Sequence, residues 1–213
     1  MTDTTTPGDA AVGTDGPGRD PGAGSRPGVN AMVRSFFLAA ALFIGAAIVG
    51  LWAPPGAAAD MMEQLVDVLG PLSTIHPLWI LIIILLNNSI KALAVVLLGV
   101  LVGLPPFFFV VFNGWAIGMV IAVTGSETGS AFIVAALAPH GIIELPLIWL
   151  SSAVGFLIGR ESLRWLFRRP SRVKEQVLSG LKTYLNWILP GLILASIIEV
   201  LVTPLIIRAV EGG

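Results

Sequence analysis

Apolar residues along this chain gather into five long blocks, at 35–53, 77–104, 107–124, 129–159 and 184–207, separated by shorter polar or turn-forming stretches. Each block meets or approaches the roughly 20 apolar residues that a helix needs to cross a bilayer. The pattern predicts an all-α fold: a polytopic transmembrane helix bundle of about five spans, occupying residues 32–213. Residues 1–31 are of another kind, rich in Gly, Pro, Thr and Asp with almost no large apolar side chains. Such a segment buries too little surface to offset its ordering entropy, which predicts a disordered tail.

The fourth block interrupts its own pattern. Within it, positions 138–146 read APHGIIELP. Pro139 has no backbone N–H to donate, and Gly141 loosens the chain beside it. The block is also longer than a straight crossing requires. Both features predict a span broken near Pro139–Gly141, with 129–138 dipping in from one face and 142–159 continuing to the other.

Composition strengthens the membrane reading. The chain is 55% hydrophobic and 12% charged, against roughly 25% charged in soluble domains. Mean hydropathy is +0.90. A formal net charge of −1 gives no reason to expect nucleic acid as a partner. The absence of cysteine excludes disulfides, thiolate zinc sites and a cysteine nucleophile. Ala57-Ala58-Ala59 has the small side chains of a signal-peptide cleavage site. The region before the first block is long and mixed in charge, however, and that block fills a whole span, so a retained first helix is expected.

The distribution of charge predicts an orientation. Seven of the twelve basic residues lie between 160 and 182: Arg160, Arg164, Arg168, Arg169, Arg172, Lys174 and Lys182. Basic loops stay in the cytoplasm. The loop at 54–76 has no basic residue and carries Asp60, Glu63 and Asp67. An N-terminus inside and a C-terminus outside a plasma membrane accommodates both. The 160–182 stretch reads either as an amphipathic helix lying on anionic lipid headgroups or as a solvated turn between spans. Met61–Leu69 is more weakly amphipathic.

Several spans carry polar side chains near their middles. They are Asn87, Asn88 and Lys91 in the second block, Asn113 in the third, His140 and Glu144 in the fourth, and Glu199 in the fifth. An ionisable group at the bilayer centre costs on the order of 3 kcal/mol and faces protein or a cavity. Lys91 and Glu144 lie at similar depth, which suggests an ion pair, with Glu199 the competing partner for the lysine. Such a pair serves equally as a lock on helix register. His140 and Glu144 are four apart, but two ligands make no metal site, and the His-Glu-x-x-His of zinc proteases is missing. No catalytic residue and no cofactor are expected. Gly99/Gly103, Gly114/Gly118 and Gly155/Gly159 repeat the small-xxx-small spacing on successive blocks, predicting close helix contacts within one chain or between copies.

In sequence order, Asn87-Asn88, Lys91-Ala92, Gly99, Gly103, Asn113-Gly114, Gly118, Pro139-His140-Gly141 and Glu144-Leu145-Pro146 resemble the stage II sporulation protein M-like membrane proteins. The resemblance covers residues 77–159. It implies a bundle of about five helices that is not itself an enzyme. In endospore formers the namesake acts in engulfment beside peptidoglycan-degrading partners. The first functional reading is a non-enzymatic membrane scaffold that recruits other envelope proteins or a second copy of itself. The alternative is a small-solute, ion or lipid transporter or channel whose path is lined by Lys91, His140, Glu144 and Glu199.

Overall fold

A computed structural model describes residues 28–54, 76–127 and 130–202 and the isolated positions 56, 60, 63 and 205, with backbone alone at 77 and through 124–140. Six α-helices appear among them: α1 (Val29–Gly50), α2 (Pro77–Leu98), α3 (Leu104–Glu127), α4 (Ser130–Leu166), α5 (Val173–Thr183) and α6 (Leu189–Leu201). A π-helical turn, Tyr184–Ile188, joins α5 to α6. No strand occurs among the described residues. Five stretches are long and apolar enough to cross a membrane, the fifth running through α5, the π turn and α6. The tail predicted for 1–31 lies largely outside the described residues, as does the amphipathic segment at 61–69.

Helix ends follow local chemistry. His76 caps α2: its Nδ1 accepts the Leu78 N–H at 3.2 Å, and Pro77 takes the first helical position, where no N–H is needed. The second block was expected to run to 104, just before Pro105-Pro106. The helix instead ends at Leu98, and the chain reverses through 99–103. Val102 (φ 58°) and Gly103 (φ 79°) both adopt the left-handed conformation there. The two prolines fall in the first turn of α3, where their missing donors cost nothing.

The predicted break in the fourth span is absent: α4 is helical without interruption from Ser130 to Leu166, through Pro139, Gly141 and Pro146. A proline inside a helix removes one hydrogen bond, and in a membrane bundle neighbouring groups and small local adjustments can offset that loss. Local sequence exaggerated the effect. The fourth helix also extends beyond 159. The 160–182 stretch therefore forms a hairpin between α4 and α5 rather than one helix along the surface. Pro170 and the left-handed Arg168 (φ 54°) end α4.

α4 stands at the centre. On one side it packs with α1 and α3, on the other with α2, α5 and α6. Each side has its own core. Ala39, Phe43 and Val110 anchor the first. Ala92, Val96, Val154, Ile158, Tyr184, Ile188 and Leu192 form the second. Glycines set the helix spacing. A Cβ added to Gly99 would lie 2.8 Å from the Gly155 Cα, and one on Gly159 would strike the backbone of Gly103. Gly114 and Gly118 likewise press against the backbones of Phe43 and Ala47 in α1. With no hydrophobic drive between helices in lipid, this backbone approach supplies the contact area that holds them together. Gly141 takes no part in it, since a Cβ there would meet only the end of Leu145 at an ordinary 3.6 Å.

Candidate functional site

A cavity of about 80 Å³ lies among α2, α3, α4 and α6. Helical spacing builds its walls. Asn88, Lys91 and Ala92 share one face of α2 at i, i+3 and i+4, and Phe109 and Asn113 share one face of α3. Glu144, Leu147 and Ile148 come from α4 with the same spacing, and Leu192 of α6 closes the far side. Asn88 and Asn113 sit near the middle of the spans at 78–98 and 104–123, so the cavity lies well away from either end of those helices.

Four of the seven polar residues singled out in the sequence thus meet around one space: Asn88, Lys91, Asn113 and Glu144. Their orientations differ. Glu144 is buried, at 3% exposure, whereas Lys91 keeps much of its side chain exposed. Among the described residues no Lys91–Glu144 contact falls within the 4.0 Å of an ion pair. The lysine is long and flexible, and it shares the cavity with the carboxylate without closing on it. Asn113 donates its Nδ2 to the Phe109 carbonyl at 2.7 Å, a bond one turn back along its own helix. Asn88 accepts at Oδ1 from Asn87 Nδ2 at 3.2 Å. Asn87 itself is exposed and outside the cavity lining. Glu199 is half-buried on α6, nearly two turns beyond Leu192, and does not line the cavity. The His140 side chain lies outside the described residues, one helical turn before Glu144 on α4.

The volume bounds the chemistry. The space is large enough for several waters or a small polar group. The lining offers a carboxylate, an ammonium and two amides, which is an environment for water or a small polar group. An apolar guest would strand their hydrogen bonds.

Two features of the structure went unread in the sequence. Glu161, 4% exposed, sits at the root of the α4–α5 hairpin. Its Oε2 accepts the Arg172 N–H at 3.1 Å, and its Oε1 lies 3.5 Å from Arg160 and 3.4 Å from Arg164. The i, i+3 spacing to Arg164 was visible, but the bond to Arg172 spans a turn whose shape was not. The second is Tyr184, whose hydroxyl donates to the Ser89 carbonyl oxygen next to the cavity-lining Asn88.

The bundle and its polar cavity define an integral, multi-pass membrane protein. The stage II sporulation protein M family model matches residues 37–204, most of the chain, and the protein belongs to that family. An uncharacterized protein of Methanocaldococcus jannaschii is 29% identical over 124 residues, covering 56% of this chain and 69% of its own length. No solved structure matches.

Proposed function

We propose that this protein is a non-enzymatic scaffold of the plasma membrane, with its N-terminus in the cytoplasm and its C-terminus outside, that holds other envelope proteins or a second copy in place. The reading rests on one observation above others: the backbone contact of Gly99 and Gly103 with Gly155 and Gly159. Helices packed backbone to backbone have little room to slide or rock, and sliding or rocking is what alternating access needs. A fixed frame suits a recruiting role. The basic hairpin at 160–182 supports the orientation, since lysine and arginine stay on the cytoplasmic side.

The polar cavity favours a second reading, a pathway for a small ion or solute through Lys91, Glu144 and the neighbouring amides. Glu199 lies apart from that cavity, so a path through it would need a second opening.

Crosslinking in intact membranes followed by purification separates the two. The scaffold reading expects defined envelope proteins, or a second copy, bound to the wild-type chain and equally to Glu144→Gln. It is overturned if the purified chain in liposomes passes ions or small solutes at a rate that Glu144→Gln abolishes.

A further inference from the structure

The α4–α5 hairpin ends in an unusual tip. Trp165, Leu166 and Phe167 are consecutive and exposed at 68%, 59% and 67%. Exposed arginines surround them: Arg160, Arg164, Arg168 and Arg169. Between 160 and 175 the chain has six basic and two acidic residues, and one of the acids, Glu161, is buried in the hairpin root.

Two backbone hydrogen bonds shape the tip. The Arg168 N–H donates to the Trp165 carbonyl at 2.9 Å, and the Arg169 N–H to the Arg164 carbonyl at 2.9 Å. This is the paired-bond helix stop whose left-handed position is ordinarily glycine. Here that position is Arg168, at φ 54°. An L-residue in this conformation costs roughly 1–2 kcal/mol per residue. Such a conformation at a non-glycine residue persists only where the surrounding structure holds it.

The height of the tip follows from packing. Gly159 abuts Gly103 in the α2–α3 turn. That turn is apolar throughout, with no polar side chain between Ala92 and Phe112, and it exposes Leu101 and Leu104. It therefore sits at the edge of the hydrocarbon, and so does Gly159. The seven residues from there to Leu166 add about 10 Å of helix. The headgroup zone on each side is about 5–7 Å thick. Arg160 and Arg164 therefore stand at headgroup level, while Trp165, Phe167, Arg168 and Arg169 at the tip lie a few Å beyond it, from where long side chains reach back to the headgroups.

We infer that the hairpin tip is a binding surface for anionic phospholipid headgroups, the arginines engaging phosphates while Trp165 and Phe167 seat in the interface. Charge complementarity selects the sign of the lipid, and the exposed aromatic tip selects a membrane over a soluble acidic polypeptide. The inference stands apart from the scaffold reading, since a channel could carry the same tip.

The test uses the full chain in nanodiscs of phosphatidylcholine mixed with phosphatidylglycerol, with bromine carried by one lipid or the other. Trp165 fluorescence is isolated as the difference between wild type and Trp165→Phe. Brominated phosphatidylglycerol should quench it more than brominated phosphatidylcholine at equal content. Arg168→Gly and Arg169→Gln should each lower that preference about five-fold, the equivalent of about 1 kcal/mol per arginine at an anionic surface. Arg168→Gly should at the same time leave the unfolding midpoint unchanged or raise it, which separates lost binding from lost folding. Equal quenching by the two lipids, a preference indifferent to both substitutions, or tip binding to soluble polyglutamate in place of lipid would each overturn the inference.

Discussion

The Tyr184 hydroxyl donates to the backbone carbonyl oxygen of Ser89 at 3.1 Å, tying the π-helical turn to the middle of α2. Tyr184 is buried at 5% exposure in the core shared with Ala92 and Ile188. In the π turn the Leu189 N–H reaches back to the Tyr184 carbonyl, one residue beyond its regular partner, and Pro190, which has no N–H to donate, follows directly. Tyr184→Phe keeps the ring and removes the donor. It should destabilise the bundle by about 0.5–1.5 kcal/mol in detergent-titrated unfolding. A change indistinguishable from zero would mean that the carbonyl is satisfied without the hydroxyl.

Two glycines, one packed against backbone and one open, should respond in opposite directions. At Gly99 an added Cβ falls 2.5 Å from the Gly155 carbonyl oxygen, which is backbone and cannot swing aside. Gly99→Ala should therefore cost about 1–3 kcal/mol through overpacking. At Gly45 nothing lies within 4 Å of the new methyl. Gly45→Ala should be neutral or stabilising by up to about 1 kcal/mol, the gain expected for alanine over glycine inside a helix. Thermal unfolding of the two variants side by side checks the contrast, and equal effects would contradict the packing described for α2 and α4.

Much of the fold was legible because hydropathy is a one-dimensional signal and the bilayer imposes one dimension. The five spans follow from block length alone. The α2–α3 turn was set too late because residues 92–112 are apolar throughout, and no polar side chain marks where the chain reverses. The continuity of α4 through Pro139 was misjudged because a single lost hydrogen bond is a local quantity, whereas the packing around it is not. Depth along a span was readable for Asn88, Lys91, Asn113 and Glu144. The direction of the Lys91 side chain was not, since it depends on rotamers. Glu161 stayed unread because its partner, Arg172, is brought near only by the turn between them.

Glu161 supplies a local prediction. It accepts the N–H of Arg172, the residue that precedes the first turn of α5, so it serves as a long-range cap for that helix. Glu161→Ala leaves the N–H inside the hairpin without its acceptor, at a cost of about 1–3 kcal/mol. Hydrogen exchange should quicken at 172–176 and stay slow at 92–96. Glu161→Gln retains an acceptor oxygen and should lose less. Uniform loosening of the whole chain would show that the residue supports the entire bundle rather than the hairpin.

The polar cavity makes its own prediction through the thiol that the chain does not have. With no native cysteine, a cysteine placed at Asn113 is the one thiol in the protein. Asn113 lines the cavity, while Met119 on the same helix is 1% exposed in packed surroundings. A thiol reacts as its thiolate, and apolar burial raises its pKa, each unit removing about ten-fold of the reactive form. If water fills the space between Lys91 and Glu144, Asn113→Cys should react with a small water-soluble methanethiosulfonate at least ~10-fold faster than Met119→Cys. Adding Glu144→Leu removes the buried carboxylate that favours water in the cavity, and should slow the reaction toward the Met119→Cys rate. Equal rates for the two single cysteines would mean that the space is dry, and its four polar side chains would then have to be satisfied by protein alone.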